Sequence, residues 1–349
     1  PDWNSLPLES LERIEIENSP ASTQYGHNSM GGVINLITDD VSKKNSTSLR
    51  FSGGSYSKAQ TSITHNNQKG SWYYGINAMA QTSEGHRFNA DNQTGRLRTY
   101  LRFGDEKGRT YRLSHILSYS DIGHPGFDVD SLISYRKSER LSQYLQGHGF
   151  YPISKGLSMS HSVFLNKFDT HYYDRNDTPE DEKEGIRNYD DLSVGFRSEM
   201  LITKWARWTV MVGADVDWNR SEVSVFDTMY NSPTQLSIGG FIQSKYSIGS
   251  GWSIGTGVRY DYRRYDYKRS DLDGIYEQKV FTNFSRKTNL MYMLQGKRAF
   301  TLAYSEGFRA PSLSELFLLH KSSYGITFQG NPDLFPEKMK AIEATYEHP

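Results

Sequence analysis

The sequence predicts an all-β chain: a transmembrane antiparallel β-barrel preceded by a small mixed α/β segment. Three observations carry that expectation. The first is composition. Among 349 residues there are 24 Tyr, 17 Phe, 6 Trp and 30 Gly, yet only 36% of the chain is hydrophobic, and its mean hydropathy is −0.69. No stretch approaches the roughly 18 consecutive apolar residues of a spanning helix. The second is an apolar/polar alternation of period two from about residue 47 onward, the mark of strands with two unlike faces. The third is that the connections between those strands alternate between short and long. Charge narrows the field further: 40 Lys+Arg against 40 Asp+Glu leave no basic field for a polyanion, so no nucleic-acid partner is expected. With no Cys, a disulfide framework, a thiol nucleophile and a Cys-based zinc site are excluded.

Taken in order, the alternation places fourteen strands near 47–54, 58–66, 71–81, 95–103, 110–120, 139–148, 156–169, 189–201, 206–220, 236–247, 252–268, 284–294, 298–305 and 338–347. The clearest runs set one face against the other. Trp208, Val210, Val212, Ala214, Val216 and Trp218 oppose Thr209, Gly213, Asp215, Asp217 and Asn219. In the next case Trp252, Ile254, Thr256, Val258, Tyr260 and Tyr262 oppose Ser253, Gly255, Gly257, Arg259, Asp261 and Arg263. Several runs reach ten or more residues, the length a tilted strand needs to cross a bilayer.

A soluble sandwich would also alternate. Two details favour the barrel: aromatics end many apolar stripes (Trp208 and Trp218, Trp252 and Tyr262, Tyr111 and Tyr119), as in interfacial girdles, and the opposite faces carry charge and glycine, as in a polar lumen. Connection lengths agree. Those at 67–70, 104–109, 149–155, 202–205, 248–251 and 295–297 are short, and those at 82–94, 121–138, 170–188, 221–235, 269–283 and 306–337 are long, the parity of periplasmic turns and extracellular loops. The connection at 55–57 is the one short member of the outward set.

Residues 1–46 read differently. Leu11–Ile16 is expected as a short strand, Ser19-Pro20-Ala21-Ser22 to cap and open one helical turn with Pro at the first helical position, and Gly26 and Gly31-Gly32 to bracket a turn before the strand Val33–Thr38. This stretch, with Tyr25-Gly26, resembles the plug-to-barrel junction of TonB-dependent outer-membrane receptors. The resemblance recurs downstream at Glu306-Gly307-Phe308-Arg309-Ala310-Pro311-Ser312 and at Gly330-Asn331-Pro332-Asp333-Leu334-Phe335-Pro336-Glu337, which look like the family's two boxes around a long extracellular loop. One departure stands out: the family's usual Leu-Arg-Gly before the first proline is Glu17-Asn18-Ser19 here.

The resemblance implies the C-terminal part of a plug domain at 1–46 and the N-terminal part of a barrel at 47–349, with about fourteen of 22 strands present, the rest lying beyond residue 349, and an open edge after residue 347. It further implies a monomeric barrel in the bacterial outer membrane, in contact with lipopolysaccharide and outer-membrane lipid, and coupled to a TonB-ExbB-ExbD complex through the earlier part of the plug. The expected activity is uptake of a scarce nutrient: a ferric siderophore first, haem or cobalamin otherwise. A passive porin and a soluble β-rich binding protein are the alternatives, and residues 1–46 speak against the porin.

Candidate ligand-binding residues lie in the outward loops. In 306–337, Pro311 to Glu315 reads as a capping box opening a short helix, a structural role for the motif. His320 and Tyr324 follow, and the resemblance to haem-uptake members makes His320 a candidate axial ligand. His86 and Arg87, His124, and His171, Tyr172 and Tyr173 could stack on a ligand ring or belong to the interfacial belt. The acidic run from Asp174 to Glu184 offers oxygens for Ca²⁺ but lacks an ordered loop spacing, so a solvated loop is expected. No resident metal or cofactor is expected; haem or an iron chelate would be cargo. Neither a G-x-S-x-G elbow, nor H-E-x-x-H, nor a phosphate-cradling loop is present, so no enzyme is expected.

Overall fold

The computed structural model describes residues 11–38, 45–125, 136–173, 186–225, 228–268, 276–294, 298–317, 319–321 and 327–348. In chain order the elements are β1 (Leu11–Glu17), α1 (Ser22–Tyr25), β2 (Val33–Thr38), β3 (Ser46–Gly54), β4 (Lys58–Lys69), β5 (Trp72–Ser83), β6 (Asn92–Gly104), β7 (Thr110–His124), β8 (Arg136–Ser154), β9 (Leu157–Tyr173) and β10 (Ile186–Trp205). They continue as β11 (Trp208–Val225), β12 (Thr228–Asn231), β13 (Thr234–Gly249), β14 (Trp252–Lys268), β15 (Tyr276–Met293), β16 (Ala299–Arg309), α2 (Leu313–Phe317), β17 (Leu319–Lys321), β18 (Thr327–Gln329) and β19 (Glu337–Glu347).

β1 and β2 form a separate antiparallel ribbon, while β3 to β11, β13 to β16 and β19 follow one another through a single sheet, every neighbour antiparallel. These are the fourteen expected strands, each paired with its sequence neighbour. Among the described residues β3 and β19 are the two edges of that path and do not pair with each other, so the barrel is not closed.

Two expectations are corrected. Strands run further than the alternation showed: β10 has 20 residues and β8 has 19. At about 3.4 Å per residue, a 20-residue strand is roughly 68 Å long and, even tilted, overshoots an apolar band about 25 Å tall. Beyond the bilayer the outward face becomes charged, as at Lys137, which pairs with Asp121 at 2.7 Å, so the apolar period fades while the hydrogen-bonded ladder continues. β8 also carries Pro152 beside a register shift, a place where a sheet tolerates proline, and the following turn is thereby confined to residues 155–156. The expected loop 221–235 is likewise partly strand, with β12 folding back on β11.

The sheet is inside out relative to a soluble domain. Its buried side chains include Asn77, Arg96, Arg98, Ser118, Ser142, Arg187, Arg259 and Ser285, whereas Phe51, Ile238, Ile242, Phe284 and Leu302 are exposed. A soluble sandwich would bury the second set. A belt of aromatic contacts lies at the short-turn end: Trp72 with Phe103 (4.8 Å between centroids), Trp205 with Trp208 (6.0 Å), Trp252 with Tyr292 (4.6 Å) and Phe300 with Tyr346 (4.6 Å). It is the girdle of one membrane interface.

Candidate functional site

α1 sits against the inner wall of β14, β15 and β16. The local turn differs from the expected one. α1 begins at Ser22 with Ala21 in the capping position and no side-chain cap; Ser19 Oγ instead points to Glu17, 3.4 Å away, and Pro20 precedes the cap. Ser22 is fully buried and its hydroxyl serves the barrel: it accepts from the Phe308 backbone N–H at 3.1 Å and lies 3.3 Å from Ser29 Oγ. Phe308 is itself buried, and a Cβ on Gly307 would lie 2.9 Å from Met30 Cα and 3.0 Å from Pro20 Cβ. Motif residues Pro20 and Ser22 thus meet Gly307 and Phe308 across the seam between the two parts of the chain.

A second contact is electrostatic. Arg259, 3% exposed, donates to both oxygens of Asp215 at 2.7 Å and to Asp261 at 2.8 Å, with the Phe241 ring 5.8 Å away. Its guanidinium lies against Gly26, where φ is +75° and an added Cβ would lie 2.8 Å from Nη2. Gly26 is therefore required twice, for its positive φ and for the approach of Arg259. Beside it, half-buried His27 has its pKa held well below the ordinary imidazole value, first by burial and then by Arg263 and Arg259. Third, Glu17 pairs with Lys287 of β15 at 2.7 Å. This ion pair places the carboxylate on residues 11–38 and the cation on the wall.

The two boxes of the long loop clasp each other. Arg309 donates to both oxygens of Glu315 at 2.9 Å and to Glu337 at 2.9 and 3.2 Å, while Glu315 and Ser312 form the expected reciprocal capping box. The Ser312 backbone N–H, with Arg309 and the Ser312 hydroxyl adding to it, holds the Glu315 carboxyl below its ordinary pKa. The Asn331 N–H donates to the Glu315 carbonyl at 2.8 Å and its Oδ1 accepts from the Asp333 N–H at 2.9 Å, while Lys279 Nζ donates to the Pro332 and Leu334 carbonyls. Ala310 is buried, and Tyr265 donates to the Pro311 carbonyl at 2.7 Å. Phe308, Arg309, Ala310, Pro311, Asn331 and Pro332 are all engaged in this fold of the loop. His320 lies in β17 opposite Phe328 of β18; Tyr324 and the acidic run 174–184 lie outside the described residues.

The remaining candidates separate by face. His124 and Tyr172 are brought together, rings 5.8 Å apart, with Arg187 6.0 Å over Tyr172 and a His124 ring nitrogen 2.8 Å from Ser138 Oγ. They share the inner face with buried Ser120 and Thr170. His171 and Tyr173 alternate to the outer face, where His171 Nδ1 lies 2.5 Å from Asn188 Oδ1. His86 and Arg87 stand exposed in the β5–β6 loop, His86 edge-on to Tyr56 at 6.2 Å. The residues that sequence reasoning missed are arginines. The inner faces of β6, β8 and β10 carry Arg96, Arg98, Arg136, Arg140 and Arg187 in their loop-side halves, among which Arg98 donates to Thr38 of β2 at 3.1 Å and Arg140 to Thr170 at 3.0 Å. Their even or odd numbering within each alternating run was the available signal.

The family model described as TonB dependent receptor-like, beta-barrel matches residues 34–348. The chain belongs to this family. The vitamin B12 transporter BtuB of Photobacterium profundum is 23% identical over 359 residues, covering 98% of this chain and 52% of that protein. BtuB of Vibrio vulnificus is 23% identical over 365 residues, covering 99% and 53%. The chain thus spans about half the length of the curated relatives it matches. Among solved structures, the siderophore receptor PiuA from Acinetobacter baumannii superposes with a TM-score of 0.79 at 11% identity, over 97% of this chain and 59% of that one. The copper transporter OprC gives 0.78 at 13% identity, over 98% and 57%. These likenesses show the fold. The family is one of outer-membrane receptors and transporters, not of enzymes, and its members work with TonB.

Proposed function

We propose that this chain is the working part of a receptor that takes up a ferric siderophore across the outer membrane, with residues 1–46 as the end of a plug and residues 47–349 as barrel wall, energised through a TonB-ExbB-ExbD complex. The observation that supports the substrate is the basic inner wall. Arg96, Arg98, Arg136, Arg140 and Arg187 line the loop-side half of β6, β8 and β10, against Asp191 as the carboxylate of the same rows. Such a wall favours an anionic cargo, and its low-dielectric surroundings focus that field. His124 and Tyr172 add flat surfaces beside Arg187 on which a chelate ring can stack. The strained approach of Gly26 to Arg259 and the Ser22–Phe308 contact support a plug seated in the lumen.

Cobalamin is the second reading, because two relatives at 23% identity are named vitamin B12 transporters. Haem is a third, through His320 in the long loop. The deciding experiment measures binding and energised uptake of radiolabelled iron as a tricatecholate, a trihydroxamate or a citrate complex, beside cyanocobalamin and haemin, with and without TonB. TonB-dependent iron uptake that falls on Arg140→Gln or Arg187→Gln supports the proposal; uptake of cyanocobalamin alone refutes it. Undiminished haem uptake by His320→Ala removes that residue from the haem reading.

A further inference from the structure

Beneath α1 lies a cavity of about 270 Å³, roofed by Thr23 and Gln24 and walled by β10, β11, β13, β14 and β15. Its inner wall is recessed by glycine. At Gly255 an added Cβ would collide with Asn289 Oδ1, and at Gly257 it would lie 3.2 Å from Gln243 Cγ. The lining contains two cations, Lys245 and Lys287, and no carboxylate. Lys287 is nevertheless paired, because Glu17 reaches it at 2.7 Å from the end of β1. The roof is otherwise lightly held on this side: Gln243 Nε2 donates to the Thr23 carbonyl at 3.5 Å.

We propose that this cavity is an inner subsite on the transport route, where an anionic chelate replaces Glu17 as the partner of Lys287. This subsite rests on the ferric-siderophore reading and extends it to a named wall of the barrel. At about 270 Å³ the cavity is smaller than the roughly 300–1,000 Å³ that hold a drug-sized ligand, so a whole chelate does not fit it while α1 is seated. Lifting α1 removes the roof and withdraws Glu17 together, since both belong to residues 11–38. That leaves Lys287 and Lys245 facing an enlarged space. A carboxylate, hydroxamate or catecholate oxygen of the cargo restores the lost charge pairing; a neutral cargo does not. The exchange couples opening of the route to the sign of what passes, and involves no covalent step.

The test uses the whole receptor in the outer membrane with the three ferric chelates named above. Thr209→Trp fills the cavity from β11, Lys245→Gln removes one cation, and Ser114→Trp on β7, outside the cavity lining, controls for an added indole. Surface binding without energy is expected to stay within about twofold in all three, while energised uptake falls about tenfold or more in Thr209→Trp, falls in Lys245→Gln and persists in Ser114→Trp. Heat-modifiable migration on gels establishes that each variant is folded. Chelate uptake undiminished in folded Thr209→Trp overturns the route and leaves the substrate reading standing. Wild-type uptake of cyanocobalamin alone overturns the substrate reading and, with it, the lysine exchange.

Discussion

Gly239→Ala should be among the most damaging small changes in this barrel, whereas Gly240→Ala, one residue on, should be silent. The two positions face opposite sides of β13. A Cβ on Gly239 would overlap Arg259 Nη2, lie 2.6 Å from its Cζ and 2.9 Å from Asp215 Oδ1, while a Cβ on Gly240 meets nothing within 4 Å. The guanidinium cannot retreat, because Gly26 closes its other side. It must leave Asp215 and Asp261, whose side chains are only 21% and 11% exposed. Breaking a buried, hydrogen-bonded ion pair by displacing one partner costs about 3–5 kcal/mol, whereas an added methyl on the lipid face stays within about 0.5 kcal/mol. Denaturant unfolding in lipid vesicles, followed by tryptophan fluorescence, measures both. In an Arg259→Met background the cost of Gly239→Ala should shrink, since no guanidinium remains to be displaced. Equal effects at the two glycines, or a Gly239→Ala cost below about 1 kcal/mol, would refute the assignment of Arg259 as a fixed platform.

Ser22→Ala leaves the buried Phe308 N–H without its acceptor and should cost about 1–3 kcal/mol, seen as faster hydrogen exchange at the Phe308 amide. Glu17→Lys and Lys287→Glu should each loosen residues 11–38 toward limited proteolysis, and the double exchange should restore resistance; the pair is about a third exposed, so each effect stays near 1 kcal/mol or less. Acid should act in two windows. His27 has a depressed pKa, so the seat is fully stable above the unfolded imidazole value near 6.5 and weakens as pH falls below it. Glu315 is also depressed, so the loop clamp holds at pH 5 and is lost only as pH drops through its folded value, below the ordinary carboxylate range near 4.3. Hydrogen exchange at Gly26 and at Asn331 separates the windows; His27→Gln should abolish the first and leave the second.

The barrel was legible because its signal is local. A period-two stripe such as Trp252 to Tyr262 is written by neighbours, and every strand then pairs with the next in sequence, so fourteen strands and their order follow from alternation and turn spacing. Strand ends were not legible above the bilayer, where β10 keeps its ladder but loses its apolar face. The site was less readable because it is built by distant residues. Asp215, Arg259 and Asp261 stood in lumen-facing rows, yet nothing local says that Gly26 rests on Arg259. The turn at Ser19 was misread for a related reason: Ser22 is claimed by Phe308, far along the chain, and the cap goes without a side chain. One distinction was available in the sequence, since the alternation that placed the strands also sets His124 and Tyr172 inside and His171 and Tyr173 outside.

Arg259 and Lys287, the wall cations that meet Gly26 and Glu17, differ in what they can do. Arg259 is buried between two carboxylates and wedged by Gly26 and Gly239, so moving it costs about 3–5 kcal/mol. Lys287 and Glu17 remain a third exposed, and water can replace either partner for about 1 kcal/mol or less. A force that draws residues 11–38 off the wall therefore separates Glu17 from Lys287 at little cost, while Arg259 stays bound to Asp215 and Asp261 and loses only its contact with a glycine that donates nothing to it. The wall keeps the Arg259 ion pairs intact throughout, while the movement exposes the cation of Lys287. The polarity of that pair is then consequential: with the cation on residues 11–38 and the carboxylate in the wall, the same movement would expose an anion to the cargo, and here it exposes a cation.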